Sequence, residues 1–178
     1  NKSCFLIWND QTQIGEKDHC SSAMYTKYYN FVNSKGITAD ANRNWNTSDY
    51  ARFAELFAEN VAYNDQIATY RIPSDDTYED IYGYLNALVD KNIEMWDAGE
   101  HSSFFDKTIF YIIDEPFEPE KDPSSTNGQK SIEHWTRCKQ VQTNIHNAQA
   151  ALASKLAGYP ELLASLNDIR SVTPFNCD

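Results

Sequence analysis

The stretch that decides the fold is Phe110-Tyr111-Ile112-Ile113-Asp114-Glu115-Pro116. Its apolar first part is typical of a short buried strand, which ends abruptly in two adjacent carboxylates and a proline. Carboxylates are costly beside apolar residues unless they have partners or a function. Parallel α/β sheets and barrels build their sites at the C-terminal ends of strands. The run therefore predicts a functional site at the end of this strand.

Strand-like and helix-like segments alternate along the rest of the chain. Strands are predicted near residues 4–9, 37–41, 66–71, 107–113 and 169–174. Helices are predicted over about 18–34, 48–59, from a cap at Ser74 or Asp75 onward, and from Ser131 to about 157, after a polar loop over 118–130. Strands separated by helix-length crossovers pair in parallel.

Helical periodicity also predicts which side chains face the core. In the second, third and fourth predicted helices these are Phe53, Leu56 and Phe57; Ile81, Leu85, Leu88 and Val89; and Trp135, Cys138, Val141, Ile145, Ala148 and Leu152.

The alternation of strands and helices is typical of either a doubly wound sheet or a barrel, and the absence of a phosphate-binding loop weakens the first. No glycine-rich phosphate loop of the form GxGxxG or GxxxxGK[ST] follows any predicted strand. A complete eight-unit barrel takes on the order of 250 residues, whereas this chain has 178 residues. We therefore expect the α/β class, with residues 1–178 forming a fragment of a (β/α)8 TIM-type barrel domain of about four to five βα units.

Composition excludes several classes of partner. The formal net charge of −11 makes nucleic acid a poor partner, and no run approaches the roughly 20 apolar residues of a membrane span. The four cysteines, at positions 4, 20, 138 and 177, match no zinc spacing and are expected to be scattered thiols, with a Cys4–Cys20 disulfide left open. The histidines form no ligand cluster, so no metal and no cofactor are expected.

Four segments together resemble the catalytic barrel of glycoside hydrolase family 123 and the related domain-of-unknown-function family 4091. They are Phe5-Leu-Ile-Trp8, Tyr25-Thr-Lys-Tyr-Tyr-Asn-Phe31 leading into Gly36-Ile37-Thr38, Ala68-Thr-Tyr-Arg-Ile-Pro73, and Phe105-Asp-Lys-Thr-Ile-Phe-Tyr-Ile-Ile-Asp-Glu-Pro116. An aromatic-Asp-Lys segment followed by a strand ending in Asp-Glu-Pro is typical of that group. The family's N-terminal β-sandwich domain and the last strands of its barrel have no counterpart in this sequence and are expected outside it.

The resemblance implies a β-N-acetylgalactosaminidase-type hydrolase that works by substrate assistance. In that mechanism the 2-acetamido oxygen of the sugar attacks the anomeric carbon. By analogy Asp114 orients and stabilises the acetamido group, while Glu115 protonates the leaving oxygen and then deprotonates water. The compartment stays open, with a secreted or cell-envelope location favoured over a cytoplasmic one.

The residues themselves are consistent with carbohydrate chemistry. Neighbouring strand residues point to opposite faces, so Asp114 and Glu115 share a pocket only where the strand ends, as Pro116 indicates. Other predicted strand ends carry the aromatic and polar side chains that bind sugars. The candidates for substrate binding are Trp8, Asp10, Arg43, Trp45, Tyr70 and Arg71.

Two alternatives remain open from the sequence. One is a non-catalytic carbohydrate-binding or scaffold barrel. The other is a different barrel enzyme that uses Asp114 and Glu115 as metal ligands or for proton abstraction, although no histidine or third carboxylate stands at a matching strand end.

Overall fold

A computed structural model of the chain describes residues 39–41, 50–62, 67–72, 74–112 and 123–172. Its strands are β1 (Ala39–Ala41), β2 (Ile67–Arg71), β3 (Thr108–Tyr111) and β4 (Arg170–Val172). Its α-helices are α1 (Tyr50–Phe57), α2 (Tyr78–Asp97), α3 (Thr126–Leu152) and α4 (Pro160–Asn167). A π-helical segment, Ala58–Ala62, continues α1, and 3-10 turns at Phe105–Lys107 and Ala153–Leu156 precede β3 and follow α3.

The four strands form one parallel sheet in the order β1-β2-β3-β4. Ala41 pairs with Tyr70, Arg71 with Ile109, and Tyr111 with Val172. The strands lie side by side in the same order in which they occur along the chain, as expected when a crossover connects each strand to its neighbour in the sheet. The predicted α/β class and the parallel pairing of the strands near 37–41, 66–71, 107–113 and 169–174 are confirmed. The strand predicted at 4–9 and the helix predicted at 18–34 lie outside the described residues.

The core lies between the sheet and the helices. Phe53 and Phe57 of α1 pack edge-on against the ring of Tyr70 in β2, with centroid distances of 5.9 Å and 5.4 Å. The inward faces predicted for the helices are confirmed. Ile81, Leu85, Leu88 and Val89 are fully buried, and the predicted apolar residues of α3 from Cys138 to Leu152 are buried as well. Leu56 and Trp135 are half-buried.

Helix α2 begins later than its sequence predicts. Thr77 is the N-cap, and its hydroxyl accepts from the Asp80 amide at 3.3 Å. Ser74 and Asp75, the predicted caps, lie in the preceding loop, where Asp75 Oδ1 accepts from the amide and the hydroxyl of Thr77. The Asp75 carboxylate therefore holds the capping residue Thr77 in position and does not cap the helix itself.

Helix α3 begins earlier than predicted. Ser125 is its N-cap and accepts from the Gly128 amide at 2.9 Å, so the segment 126–130 is helical and not part of the loop. This first turn is polar and contains a glycine, which is why its composition is typical of a loop. The predicted start at Ser131 is wrong, and the side chain of Ser131 is instead buried.

Helix α4 is absent from the sequence prediction. It has only eight residues, begins with Pro160 at its first position, and buries Leu162 and Leu166. A helix of two turns presents too few apolar repeats to produce a clear period. It precedes β4 and so completes the crossover from β3.

Candidate functional site

Most residues of the predicted site lie outside the described residues. These are the proposed catalytic pair Asp114 and Glu115 and four of the six predicted substrate-binding residues, Trp8, Asp10, Arg43 and Trp45. The described part of the site consists of the C-terminal ends of β2 and β3 and the loop between β2 and α2.

Tyr70 and Arg71 at the end of β2 face opposite sides of the sheet, as consecutive strand residues do. The ring of Tyr70 is fully buried against α1, so it offers no face to a ligand. We therefore assign Tyr70 to the core and remove it from the candidate site. The sequence predicts that Tyr70 and Arg71 point to opposite faces of the sheet, but it does not predict which of them faces the helices. The packing of Phe53 and Phe57 against Tyr70 decides that.

Arg71 lies on the face of the sheet away from α1 and is 4% exposed. The central carbon of its guanidinium stands 4.0 Å from the centroid of the Tyr111 ring, on the neighbouring strand. A guanidinium over an aromatic face is stabilised by the ring quadrupole, by about 2 kcal/mol when it is desolvated. The stack fixes a buried positive charge at the C-terminal edge, beside the strand that leads to Asp114.

The ends of β2 and β3 are held in register beyond the last ladder pair. The amide of Ile72 donates to the carbonyl of Ile109 at 3.0 Å, and Ile72 and Ile112 are both buried. The edge at which Arg71 and Tyr111 meet is therefore a packed part of the sheet.

The loop between β2 and α2 contains a second group of polar residues, centred on Asp76. Asp76 has a φ of +73°, a left-handed conformation that aspartate tolerates better than most residues. Its carboxylate forms an ion pair with Arg137 of α3, and its carbonyl accepts from the amide group of Asn144 at 2.9 Å. Neither Asp76 nor its partners Arg137 and Asn144 were identified from the sequence, because these contacts join residues 61 and 68 positions apart.

The loop also contains a carboxylate with a shifted pKa. Hydrogen bonds from the side chain and the backbone of Thr77 lower the pKa of Asp75 from its ordinary value. The group is exposed, so the shift reflects local turn geometry and the capping of α2.

Two tyrosines that lie between α1 and α2, away from the sheet edge, have raised pKa values. The hydroxyl of Tyr50 donates to Asp80 at 2.7 Å, and this bond is the main cause that raises the pKa of Tyr50. Burial raises the pKa of Tyr84 to about 12. Tyr50 is half-buried and Tyr84 is buried in the interface between the two helices, so both shifts reflect contacts within that interface.

The aromatic-Asp-Lys segment that precedes β3 has a structural role at the opposite edge of the sheet. Phe104 and Phe105 are buried, and the Lys107 ammonium donates to the carbonyl of Val61 at 3.0 Å. That carbonyl belongs to the π-helical segment after α1, so Lys107 ties the start of β3 to the segment that leads from α1 towards β2.

Within the described ranges no group of three or more His, Cys, Asp or Glu side chains is arranged to hold a metal ion. Cys138 is a buried thiol on the inner face of α3. None of the described helices is long and apolar enough to cross a membrane.

Comparisons of the chain with protein-family models, with curated proteins and with solved structures found no match in any of the three. The resemblance to the glycoside hydrolases therefore depends on the quoted segments, above all on the strand that ends in Asp114-Glu115-Pro116.

Proposed function

We propose that the chain belongs to the catalytic barrel of a glycoside hydrolase. It would cleave terminal β-linked N-acetylhexosamine, of the N-acetylgalactosamine type, by a substrate-assisted retaining mechanism. The observation that carries the proposal is the position of β3, an inner strand of a parallel sheet, immediately before Ile112-Ile113-Asp114-Glu115-Pro116.

The order of the strands supports a partial (β/α)8 barrel as the scaffold. Right-handed crossovers between neighbours in the order β1-β2-β3-β4 place every helix on one face of the sheet. Consistent with this, α1 packs on α2 and α2 on α3. Parallel sheets are normally buried on both faces, and closure into a barrel covers the second face with the sheet itself. The remaining barrel units and a β-sandwich domain are proposed to lie outside this chain.

In this proposal Asp114 and Glu115 act at the C-terminal edge. Three residues span at most about 11 Å, so chain connectivity keeps Asp114 within that distance of Tyr111 along the backbone. Arg71, stacked on Tyr111, supplies a positive charge at that edge and favours an ionised carboxylate nearby. An ionised Asp114 suits the orientation of an acetamido N–H, and its negative charge helps to keep the adjacent Glu115 protonated.

The proposed reaction has two steps that share one intermediate. The acetamido oxygen of the substrate attacks the anomeric carbon, the glycosidic C–O bond breaks, and Glu115 gives its proton to the leaving oxygen. An oxazoline-like intermediate results, and Asp114 stabilises its positive charge. Water then attacks the anomeric carbon, the bond to the acetamido oxygen breaks, and Glu115 takes the proton from the water.

The direct test is hydrolysis of aryl and natural β-N-acetylgalactosaminides and β-N-acetylglucosaminides by the full-length protein, in which the proposed remaining barrel units are present, and by its Glu115→Gln variant. General acid–base catalysis predicts a loss of roughly 10²–10⁴-fold with natural glycosides. The loss should be smaller with nitrophenyl glycosides, whose leaving group needs little protonation. Glu79→Gln, the same substitution at an exposed site in the first turn of α2, serves as the control and should retain activity. If the Glu115→Gln variant retained the full activity of the wild type, the assignment of Glu115 as the general acid and base would be refuted.

A second variant separates the two carboxylates. Asp114→Asn should slow all acetamido substrates alike, because it disturbs the attacking group and not the leaving group. A thiazoline analogue of the intermediate should inhibit the wild type and bind Asp114→Asn less tightly. Binding of the sugars with no hydrolysis by the wild type would instead favour the alternative, a non-catalytic carbohydrate-binding barrel.

A further inference from the structure

The first turn of α3 contains an asparagine that is followed directly by a glycine, Asn127-Gly128, the only such pair in the chain. Glycine has no Cβ, so its backbone nitrogen can approach the side chain of the preceding residue closely. For this reason an asparagine before glycine is especially prone to lose its side-chain amide as ammonia. The side chain of Asn127 is exposed, so water reaches it.

The reaction needs only water and hydroxide from the solvent. The amide nitrogen of Gly128 gives its proton to hydroxide and attacks Cγ of Asn127. The Cγ–Nδ2 bond breaks, and the side-chain nitrogen takes a proton from water and leaves as ammonia. Water then opens the resulting cyclic imide at one of its two C–N bonds, which gives either an aspartate or an isoaspartate.

In the folded chain the attacking nitrogen is already engaged. The amide of Gly128 donates to the hydroxyl of Ser125, the N-cap of α3, at 2.9 Å, and Gly128 is buried. In addition, a helical residue has a ψ of about −42°, at which the five-membered ring closes poorly. The hydrogen bond to Ser125 must therefore break, and the turn must open, before the ring can form.

Gln129 strengthens the same turn. Its backbone amide donates to the carbonyl of Ser125 at 2.9 Å, and its side-chain amide donates to the carbonyl of Pro123. These bonds tie the first turn to the segment that precedes it. Opening at Asn127 therefore breaks several hydrogen bonds together and is not the fraying of a free helix end.

The two products would change α3 in opposite ways. No acidic residue lies in the first turn of α3, and an aspartate there would place a negative charge at the positive end of the helix dipole, which is favourable. An isoaspartate adds a methylene group to the backbone, so the hydrogen bonds between Ser125 and Gln129 would lose their spacing. In either case the chain gains one negative charge.

We propose that Asn127-Gly128 is a site of spontaneous deamidation, which the Ser125 cap keeps latent while the first turn of α3 is formed. Loss of the cap exposes the Gly128 nitrogen, so the state of this one turn sets the rate at which the chain acquires the additional charge. The proposal depends on contacts within α3 and the residues just before it, and it does not require the proposed hydrolase activity.

The test is the rate of deamidation of the whole chain in a mildly alkaline buffer, for the wild type and for Ser125→Ala. Trypsin releases the peptide 122–130, which contains a single asparagine. Mass spectrometry of this peptide detects the replacement of the amide by a carboxyl, and fragmentation locates the change at Asn127. Because an N-cap typically shifts the local equilibrium about fivefold, Ser125→Ala should react about five times faster.

The wild type alone provides a second comparison, which does not depend on the folding of any variant. The chain unfolded in guanidinium chloride should deamidate at Asn127 at least about tenfold faster than the folded chain in the same buffer, because the turn is then open in every molecule. Equal rates in the folded and unfolded wild type would overturn the proposal.

Two variants serve as matched controls. Ser125→Thr keeps a capping hydroxyl, and Thr126→Ala removes the exposed hydroxyl of the next residue. Both should deamidate at close to the wild-type rate, and circular dichroism checks that each variant is folded. Equal rates in the wild type and Ser125→Ala would refute the role given to the cap. A rise in Thr126→Ala as large as that in Ser125→Ala would refute it as well, since the effect would then belong to the turn in general.

Discussion

Asn92 shows how a single buried amide shapes the approach to β3. It is fully buried in α2, its Nδ2 donates to the carbonyl of Ser102 at 2.9 Å, and its Oδ1 accepts from the amide of Phe104 at 2.8 Å. The loop after α2 is thereby fixed just before the strand that leads to Asp114.

Replacement of this amide should destabilise the whole chain. Asn92→Leu keeps a similar volume but leaves two backbone groups without their partner, at a cost of about 2–4 kcal/mol in the free energy of unfolding. Urea denaturation followed by circular dichroism measures the loss. The exposed Asn147 of α3 is the matched control, and Asn147→Leu should change stability by less than about 0.5 kcal/mol. Equal effects at the two positions would contradict the role given to Asn92.

Tyr84 makes stability depend on pH in the alkaline range. Its pKa is raised from 10.0 to about 12, chiefly by burial and secondly by the negative charge of Asp80. Below pH 10 both the folded and the unfolded chain hold the proton, so the contribution of Tyr84 to stability is fully present. Between about pH 10 and pH 12 the unfolded chain ionises first, and this contribution is lost progressively.

The comparison that isolates this group is wild type against Tyr84→Phe. From pH 9 to pH 12 the wild type should lose about 2 kcal/mol more than the variant, since phenylalanine cannot ionise. Unfolding by urea at a series of pH values gives the difference, in which the effects of the other tyrosines and the lysines cancel. Parallel curves for the two proteins would mean that the hydroxyl of Tyr84 is accessible to water in the folded state.

At the scale of elements, the contact between α1 and α2 depends on a glycine. A Cβ at Gly83 would overlap the ring of Tyr50. That ring is held in place, because it packs edge-on against Tyr84 with a centroid distance of 4.9 Å and its hydroxyl donates a hydrogen bond to Asp80. Glycine in the interior of a helix costs about 1 kcal/mol relative to alanine. The close approach of the Tyr50 ring explains why a glycine is nevertheless present there.

This arrangement predicts a change of sign in a double-mutant cycle. Gly83→Ala alone should destabilise the chain by about 1–2 kcal/mol, because displacement of Tyr50 outweighs the gain in helix propensity. In a Tyr50→Ala background the same substitution should stabilise by up to about 1 kcal/mol. Urea midpoints of the four proteins give the coupling, and a destabilising effect in both backgrounds would show that Tyr50 is not the obstacle.

At the scale of the whole molecule, charge acts against compactness. The chain carries a formal net charge of −11, so its acidic groups repel one another more strongly when folded. Salt screens this repulsion, and the urea midpoint should rise as sodium chloride increases from about 0.01 M to about 0.3 M. Potassium chloride should act in the same way, because screening does not depend on the identity of the cation. A midpoint that fell with both salts would mean that attractive ion pairs outweigh the repulsion.

Much of the element order was predictable from the sequence, because periodicity and turn residues are properties of a local stretch of chain. The parallel strands β1 to β4 and the buried faces of α2 and α3 were predicted in this way. Boundaries were less predictable. The start of α3 at Thr126 and the whole of α4 depend on a serine cap and on docking against the core, which leave little trace in composition.

The chain by itself determined the alternation of strands and helices and the apolar strand before Asp114-Glu115, since these follow from residue type and spacing. Tertiary structure alone decided that Tyr70 packs in the core while Arg71 stacks on Tyr111, and that Asp76 holds Arg137 and Asn144. The physical reason is the range of the interactions. Local preferences act over a few residues, whereas each of these contacts joins separate elements, and its partner is selected only when the sheet and helices have packed.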